Sequence, residues 1–480
     1  MLRVAKNVVL SCLLPCIIAG APLPDIQKSM ENFVAVKKYN VSGAGIVFKE
    51  VESTKPAVSI NGEQMLNPAS VAKLVTASAA FELLKTNYSF KTGIFISGSF
   101  DPDSGVVSGD LYIRGGGDPG FTAERLWLLV QHLQHRGIKK ISGNLILDDF
   151  FFDTVLVGPG FDEDSNSRAY QPLICALSAS FNTLAIHVRP GKAAGSPVGV
   201  DIFPKIAGVS IQSSAKTVSP GSKVEIDVVT IPSKAGTSVV VKGGCQVNTE
   251  PSYIYRKIWQ SWEMFGGAVM AQFNDAGIKV NGTTIHGKVP ESLRGKPFYE
   301  FESQPLNEFI NHMFKYSSNF ASEMIFKTIS SQDNLPGSWE RSSEIVKNWW
   351  KSNDLPGEPV IRNGSGMGNT NRISAGQIVE LLDHVWSQKM YLPEYLSALS
   401  ISGVDGTLKS RFKNSPLKGL IRGKTGTLNS YGVSTIAGYM LLPQGTWAFA
   451  ILCNKVGNGQ YDNWVTQEAI AEKFYEMVKK

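Results

Sequence analysis

The sequence predicts a mixed α/β (α+β) protein, in which a helix-flanked antiparallel sheet is interrupted by a β-rich insert. Three observations carry this expectation. An Ala- and Leu-rich helical stretch occupies residues 70–84, with Asn67 as its cap and Pro68 suited to its first turn. From about Thr92 to Pro297 the texture changes to Gly, Ser, Val and Ile with period-two alternation. After Pro297 long helical patterns return, and two apolar strands and a helix close the chain.

In chain order, residues 23–33 read as a helix, and 44–48 and 57–60 as short strands. Within the insert, 198–203, 223–231 and 238–242 alternate as strands do, and a single helix is expected at 124–135. Helices are expected at 306–315, 320–330, 338–351 and 375–389. Strands 435–442 and 447–453 are joined by the turn Pro443-Gln444-Gly445, and 463–478 forms the last helix. The corresponding division is 1–21 as a signal segment, 22–95 and 298–480 as one discontinuous domain, and 96–297 as one or two nested inserted domains. The insert carries none of the motifs described below and is expected to take no direct part in catalysis.

Hydrophobic residues make up 43% of the 480-residue chain and charged residues 18%, a globular rather than a disordered composition. The formal charge of +6 is too small to argue for nucleic acid, and no basic run carries interleaved aromatics. Arg3 and Lys6 precede the apolar residues 8–18 and the small residues Ala19, Gly20 and Ala21, the layout of a secretory signal. The apolar stretch is too short for a comfortable membrane span, so an exported, extracytoplasmic protein is expected. Peripheral membrane association stays open, and the sequence does not specify an oligomeric state. Cys175, Cys245 and Cys453 lie outside the signal. Cys453, in an apolar run, reads as a buried thiol. Cys175 and Cys245 are either free or joined in an oxidising compartment.

Ser70-Val71-Ala72-Lys73 places a hydroxyl and an amine at i and i+3, which share a helix face. A serine nucleophile needs a base for its proton and backbone donors for the oxyanion it generates. Lysine serves as that base only if burial or nearby positive charge depresses its pKa. The spacing alone more often describes a solvated lysine and a helix-start serine, and it recurs at Ser213/Lys216, Ser410/Lys413 and Ser415/Lys418. None of those has a capped, Ala-rich helix behind it. Ser317-Ser318-Asn319 offers a hydroxyl for proton relay and an amide for a substrate carbonyl, with decoys at Ser59/Asn61 and Ser180/Asn182. In Lys424-Thr425-Gly426-Thr427, Lys and Thr suit a carboxylate, and Gly lets substrate backbone approach a strand edge. Its decoy is Lys91-Thr92-Gly93.

Ser70, Ser317 and Lys424 come in the order S-x-x-K, S-x-N, K-T-G. With Asn67-Pro68-Ala69-Ser70, residues 111–119, Asn363-Gly364-Ser365-Gly366, residues 403–408 and 423–428, the chain resembles the low-molecular-mass class C penicillin-binding proteins, the D-Ala-D-Ala carboxypeptidase/endopeptidase family S13. The resemblance implies a serine β-lactamase/transpeptidase-like fold. About 250 residues separate the first two motifs, room for inserted domains that single-domain serine β-lactamases lack. Two departures stand out: Asn363 with Gly368-Asn369 where the family commonly has Asp and a Ser-Arg pair, and Ser318 at the centre of S-x-N where many relatives carry Asp.

By the same resemblance, Ser70 is the nucleophile, Lys73 its base, and the N–H groups of Ser70 and Thr427 the oxyanion hole. Ser317, linked to both lysines, relays a proton. Asn319 holds the substrate amide, and Lys424 and Thr425 the terminal carboxylate. Gly426 and Thr427 complete the substrate-binding strand. The implied partners are peptidoglycan stem peptides and, as covalent inhibitors, β-lactam antibiotics; no metal or organic cofactor is called for. The alternatives are a β-lactamase or esterase of the same fold and a non-catalytic wall-binding scaffold. Asp148, in the insert, reads as a loop or capping residue that is also placed to meet a cationic stem-peptide side chain.

Overall fold

The computed structural model describes residues 25–161, 167–204, 206–234, 236–331, 335–456 and 460–479. The signal segment, with Cys12 and Cys16, lies outside them. A six-stranded antiparallel sheet runs in the order Ser400–Ile401, Ile421–Leu428, Val433–Leu442, Gly445–Asn454, Ala44–Glu50, Val58–Ile60. Early and late segments therefore share one sheet, with Ala44 opposite Cys453 and Lys424 opposite Ala437.

Successive side chains on a strand point to opposite faces, and here both faces are covered. From one face Val47, Ala448, Ala450 and Leu452 join the core of the large helical layer. From the other, Ile46, Phe48, Phe449, Ile451 and Cys453 meet the helices Ile26–Val36 and Gln460–Val478. This two-sided burial accounts for the unbroken apolar run before Cys453. Phe474 stacks on Phe48 at 4.0 Å between ring centroids.

The helical layer holds Lys73–Leu83, Leu306–Lys315, Asn319–Ile329, Trp339–Ser352, Ala375–Ser387 and Leu392–Ala398. Every residue from Lys73 to Phe81 is buried, so this helix is walled on all sides. The expected helix 70–84 is corrected at its start: Ala69–Ala72 is a 3-10 turn, and the α-helix begins at Lys73. The Asn67 Oδ1 accepts the Ala69 N–H at 2.9 Å, and Ala69 takes a left-handed φ of 46°. The chain thus turns sharply before Ser70 instead of entering an α-helix.

Residues 89–305 form four smaller sheets around a separate core. Here the expectation of one helix is corrected. Ala123–His135 is joined by Ser261–Asp275. Gly266 and Gly267 disguised the second helix as insert texture. A Cβ on Gly266 would stand 2.7 Å from Leu147 Cδ1, so the glycine permits close helix–strand packing.

Cys175 and Cys245 are both free, which decides against the disulfide, and Cys453 is a buried thiol. Cys175 Sγ lies instead within hydrogen-bonding distance of Asp149 Oδ2 and Leu177 O. Asp148 is 1% exposed and accepts the N–H groups of Phe150 and Val289. It is a capping residue out of a substrate's reach, and the reading that it meets a stem-peptide cation falls.

Candidate active site

Three segments remote in sequence converge at the start of the Lys73–Leu83 helix. Ser70, half-buried on the 3-10 turn, places its Oγ 2.7 Å from Lys73 Nζ. Lys73 Nζ also reaches Asn319 Oδ1 and Ser365 O, both at 2.8 Å. Three oxygens thus surround a nitrogen that has three hydrogen-bonding positions. Lys73 has no exposed surface. Burial holds its pKa well below the ordinary value; the charge of Lys424 lowers it further, and Glu323 opposes both.

Ser317 occupies the bend between the helices Leu306–Lys315 and Asn319–Ile329, with a left-handed φ of 56°. Such a conformation is costly for serine and is held by its surroundings. Its Oγ accepts from Lys424 Nζ at 2.9 Å. Lys424, on the strand Ile421–Leu428, is fully buried, which lowers its pKa to about 7. The expected link of Ser317 to both lysines therefore holds for Lys424. On Lys73, Asn319 takes the place expected for Ser317.

Along the same strand, Thr425 Oγ1 donates to Thr407 Oγ1 at 2.7 Å. A Cβ on Gly426 would fall 2.8 Å from the Ser70 backbone nitrogen and 2.4 Å from Thr435 Oγ1. Glycine is thus required where this strand passes the serine turn. Half-buried Thr427 follows immediately. All eight residues singled out from the sequence lie on the serine turn and the helix it opens, the bend at Ser317 and this strand.

Sequence reasoning missed the supports. Fully buried Glu323, one turn beyond Asn319, accepts three N–H bonds: Ser365 N at 2.8 Å, Gly364 N at 3.0 Å and Trp339 Nε1 at 2.7 Å. It thereby holds the loop that presents Ser365 O to Lys73. Asn363 fastens the same loop, donating to Pro159 O and Met367 O while accepting from Gly366 N. An Asp would lack those donors, so the departure at Asn363 has a structural use here. The only advance signal was position: Glu323 lies four residues after Asn319, on one helix face. The insert also reaches the site, contrary to expectation, because Tyr170 O accepts from Asn319 Nδ2 at 2.9 Å.

A serine hydroxyl against a buried amine, with a second Ser–Lys pair beside a strand edge, is the machinery of a serine acyl hydrolase. The profile of the D-Ala-D-Ala carboxypeptidase 3 (S13) family matches residues 26–473, and the chain belongs to that family. It is accordingly a serine peptidase of the D-Ala-D-Ala carboxypeptidase type. It is 27% identical to the D-alanyl-D-alanine carboxypeptidase of Actinomadura sp. (strain R39), over 95% of this chain and 86% of the relative. It is 24% identical to the D-alanyl-D-alanine carboxypeptidase DacB of Haemophilus influenzae, over 88% of this chain and 87% of the relative. The crystal structure of penicillin binding protein 4 (dacB) from H. influenzae superposes with a TM-score of 0.80 at 22% identity, over 94% of this chain and 99% of that one. That structural likeness shows the fold.

Proposed function

We propose that this chain hydrolyses the terminal D-Ala-D-Ala bond of peptidoglycan stem peptides, or the D-alanyl bond of a cross-link, through an ester on Ser70. The observation that carries the reading is the 2.7 Å approach of Ser70 Oγ to a buried Lys73 amine whose pKa is depressed. Lys73 takes the hydroxyl proton as Oγ attacks the carbonyl carbon of the penultimate D-Ala. The N–H groups of Ser70 and Thr427 hold the oxyanion. The C–N bond breaks, and the leaving amine takes, by way of Ser317, the proton that Lys73 received from Ser70, which returns Lys73 to its neutral form; Ser317 is held by its bond to Lys424. Asn319 orients the substrate amide. Water, deprotonated by Lys73, then cleaves the ester.

A β-lactam enters the same pathway and leaves a slowly hydrolysed ester. We place the protein outside the cytoplasm, where its substrate lies. The catalytic unit comprises residues 25–88 and 306–479, and residues 89–305, whose first and last strands, Ser89–Ile96 and Tyr299–Pro305, pair with each other, are the insert, which contributes the Tyr170 carbonyl to the site. Labelled penicillin tests the function: a stable adduct supports it, rapid turnover makes the protein a β-lactamase or esterase, and no reaction makes it a scaffold. Product analysis on cross-linked and uncross-linked muropeptides then separates endopeptidase from carboxypeptidase action.

Lys424 and Thr425 read the terminal carboxylate. A charge-assisted hydrogen bond is worth about 1.5–3 kcal/mol, so Lys424→Ala should slow acylation by roughly one to two orders of magnitude. Lys424→Arg, with a planar fork in place of a compact ammonium, should rescue only partly. Wild type should prefer a free-acid substrate over its amide, and Lys424→Ala should lose much of that preference. Because burial lowers the Lys424 pKa to about 7, the preference should weaken as pH rises through that value. Equal discrimination by all three proteins would move the role to Lys418 or Arg422.

Glu323 acts through Lys73 as a positioning residue. The charged groups facing Lys73 are Lys424 and Glu323, and Glu323 alone favours its protonated form. Glu323→Gln removes that charge, so the Lys73 pKa should fall further. The low-pH limb of the acylation profile, where Lys73 gains its proton, should then move to lower pH, alongside a loss of rate. A slower enzyme with an unmoved limb would reduce Glu323 to loop support.

A further inference from the structure

We infer that the cleft between Arg114 and Arg294, at the junction of the insert with the helical layer, binds a carboxylate or phosphate group. The cleft has a volume of about 520 Å³, and its walls include Tyr88, Phe95, Phe151 and Pro297. Tyr88 lies just beyond the far end of the Lys73–Leu83 helix. An 11-residue helix is about 16 Å long, so this cleft is separate from the serine site.

The charges here are unevenly matched. Lys91, also on the wall, is held by Glu300 at 2.6 Å and Glu302 at 3.6 Å. Arg114 is paired more loosely. Among the described residues its guanidinium makes no hydrogen bond, and its nearest carboxylate, Asp148, stands 3.9 Å from Nε. Asp148 is already engaged by two backbone N–H groups. Arg294 donates only to Val289 O at 3.3 Å, and it meets Glu291, whose side chain is 92% exposed, at 4.0 Å. Arg114, with 32% of its side chain exposed, is pushed below its ordinary pKa by burial; the charge of Asp148 opposes this and that of Arg294 adds to it.

Two guanidinium groups that face one cleft, repel each other and leave most of their donors unfilled match a planar or tetrahedral oxyanion. Burial holds the Tyr88 phenol up at about 12, so it stays protonated as a further donor. The apolar walls leave room for the body of a larger molecule bearing the anion. A stem-peptide carboxylate and the phosphate of a wall polymer offer the same chemistry.

The test is calorimetric titration of the full chain with two probes, glutarate for carboxylates and dimethyl phosphate for phosphodiesters. Saturable one-to-one binding of either is expected, and which one binds identifies the source. Affinity should fall as salt is added. Arg114→Gln and Arg294→Gln should each weaken binding at least tenfold while labelled penicillin acylates Ser70 at an unchanged rate. Arg294 sits on the short exposed helix Glu291–Arg294, so its variant stays informative if Arg114→Gln fails to fold. Saturation by neither probe, or binding that survives both substitutions unchanged, would overturn the site.

Discussion

Ser70→Ala should abolish covalent labelling by penicillin completely and leave the thermal transition close to that of wild type. No other hydroxyl in the site has a buried amine on its own helix face. Ser317 meets Lys424 across two elements and lies off the strand that passes the Ser70 nitrogen. Ser70 is only half-buried, and its loss leaves Lys73 with two acceptors, Asn319 Oδ1 and Ser365 O. The fold therefore loses little. The check is gel fluorescence of the adduct beside a melting curve. A folded Ser70→Ala protein that still forms the ester would sink the assignment and direct attention to Ser213 or Ser410.

Lys73→Met should slow acylation by about 10² to 10⁴, the range a positioned general base supplies, because methionine fills the volume without the amine. Its effect on stability has a definite sign against pH. The folded-state pKa of Lys73 is depressed, so the folded chain releases a proton that the unfolded chain keeps. Lys73 thus costs the fold increasing stability as pH falls from its unfolded pKa of about 10.4 towards its folded value. Below the folded value the cost is constant. The Met variant escapes this cost, and it also relieves Lys424 of a like charge. Orphaned acceptors on Asn319 and Ser365 subtract a roughly pH-independent amount, so the slope is the quantity to read. Melting temperatures of the two proteins, measured from pH 10 downwards, should shift in favour of Met as pH falls. Parallel curves, or acylation within tenfold of wild type, would remove Lys73 from the base role.

Helices such as Leu306–Lys315 and Trp339–Ser352 were legible because their burial is periodic. The run 447–453 is apolar throughout because both faces of its strand are covered. Ser261–Asp275 was missed because Gly266 and Gly267 carry no periodic signal; their use shows only in the fold, where Gly266 packs against Leu147 and Thr284 and Gly267 against the Ala207 backbone. The start of the serine helix was misread because Asn67 and Pro68 are equally good residues for an α-helical cap and for a tight turn. Contacts from elsewhere chose between them: Thr435 Oγ1 donates to Pro68 O, and Asn454 exchanges hydrogen bonds with the Asn67 backbone.

Residue type and motif order alone bring forward the side chains proposed to carry the chemistry. Ser70 and Lys73 must sit close together because they stand three positions apart on one turn, and the order of the motifs restricts the rest. Only the tertiary structure decided what makes those side chains reactive. The depression of the Lys73 and Lys424 pKa values comes from complete burial beneath segments hundreds of residues apart. The third acceptor on Lys73 is a backbone carbonyl, which any residue at position 365 would supply. The Glu323 bonds that hold it, the Tyr170 carbonyl on Asn319 and the free thiols of Cys175 and Cys245 are likewise set by folding. Residue type fixes which bonds a group can make; its solvation and its partners are properties of the space the whole chain encloses.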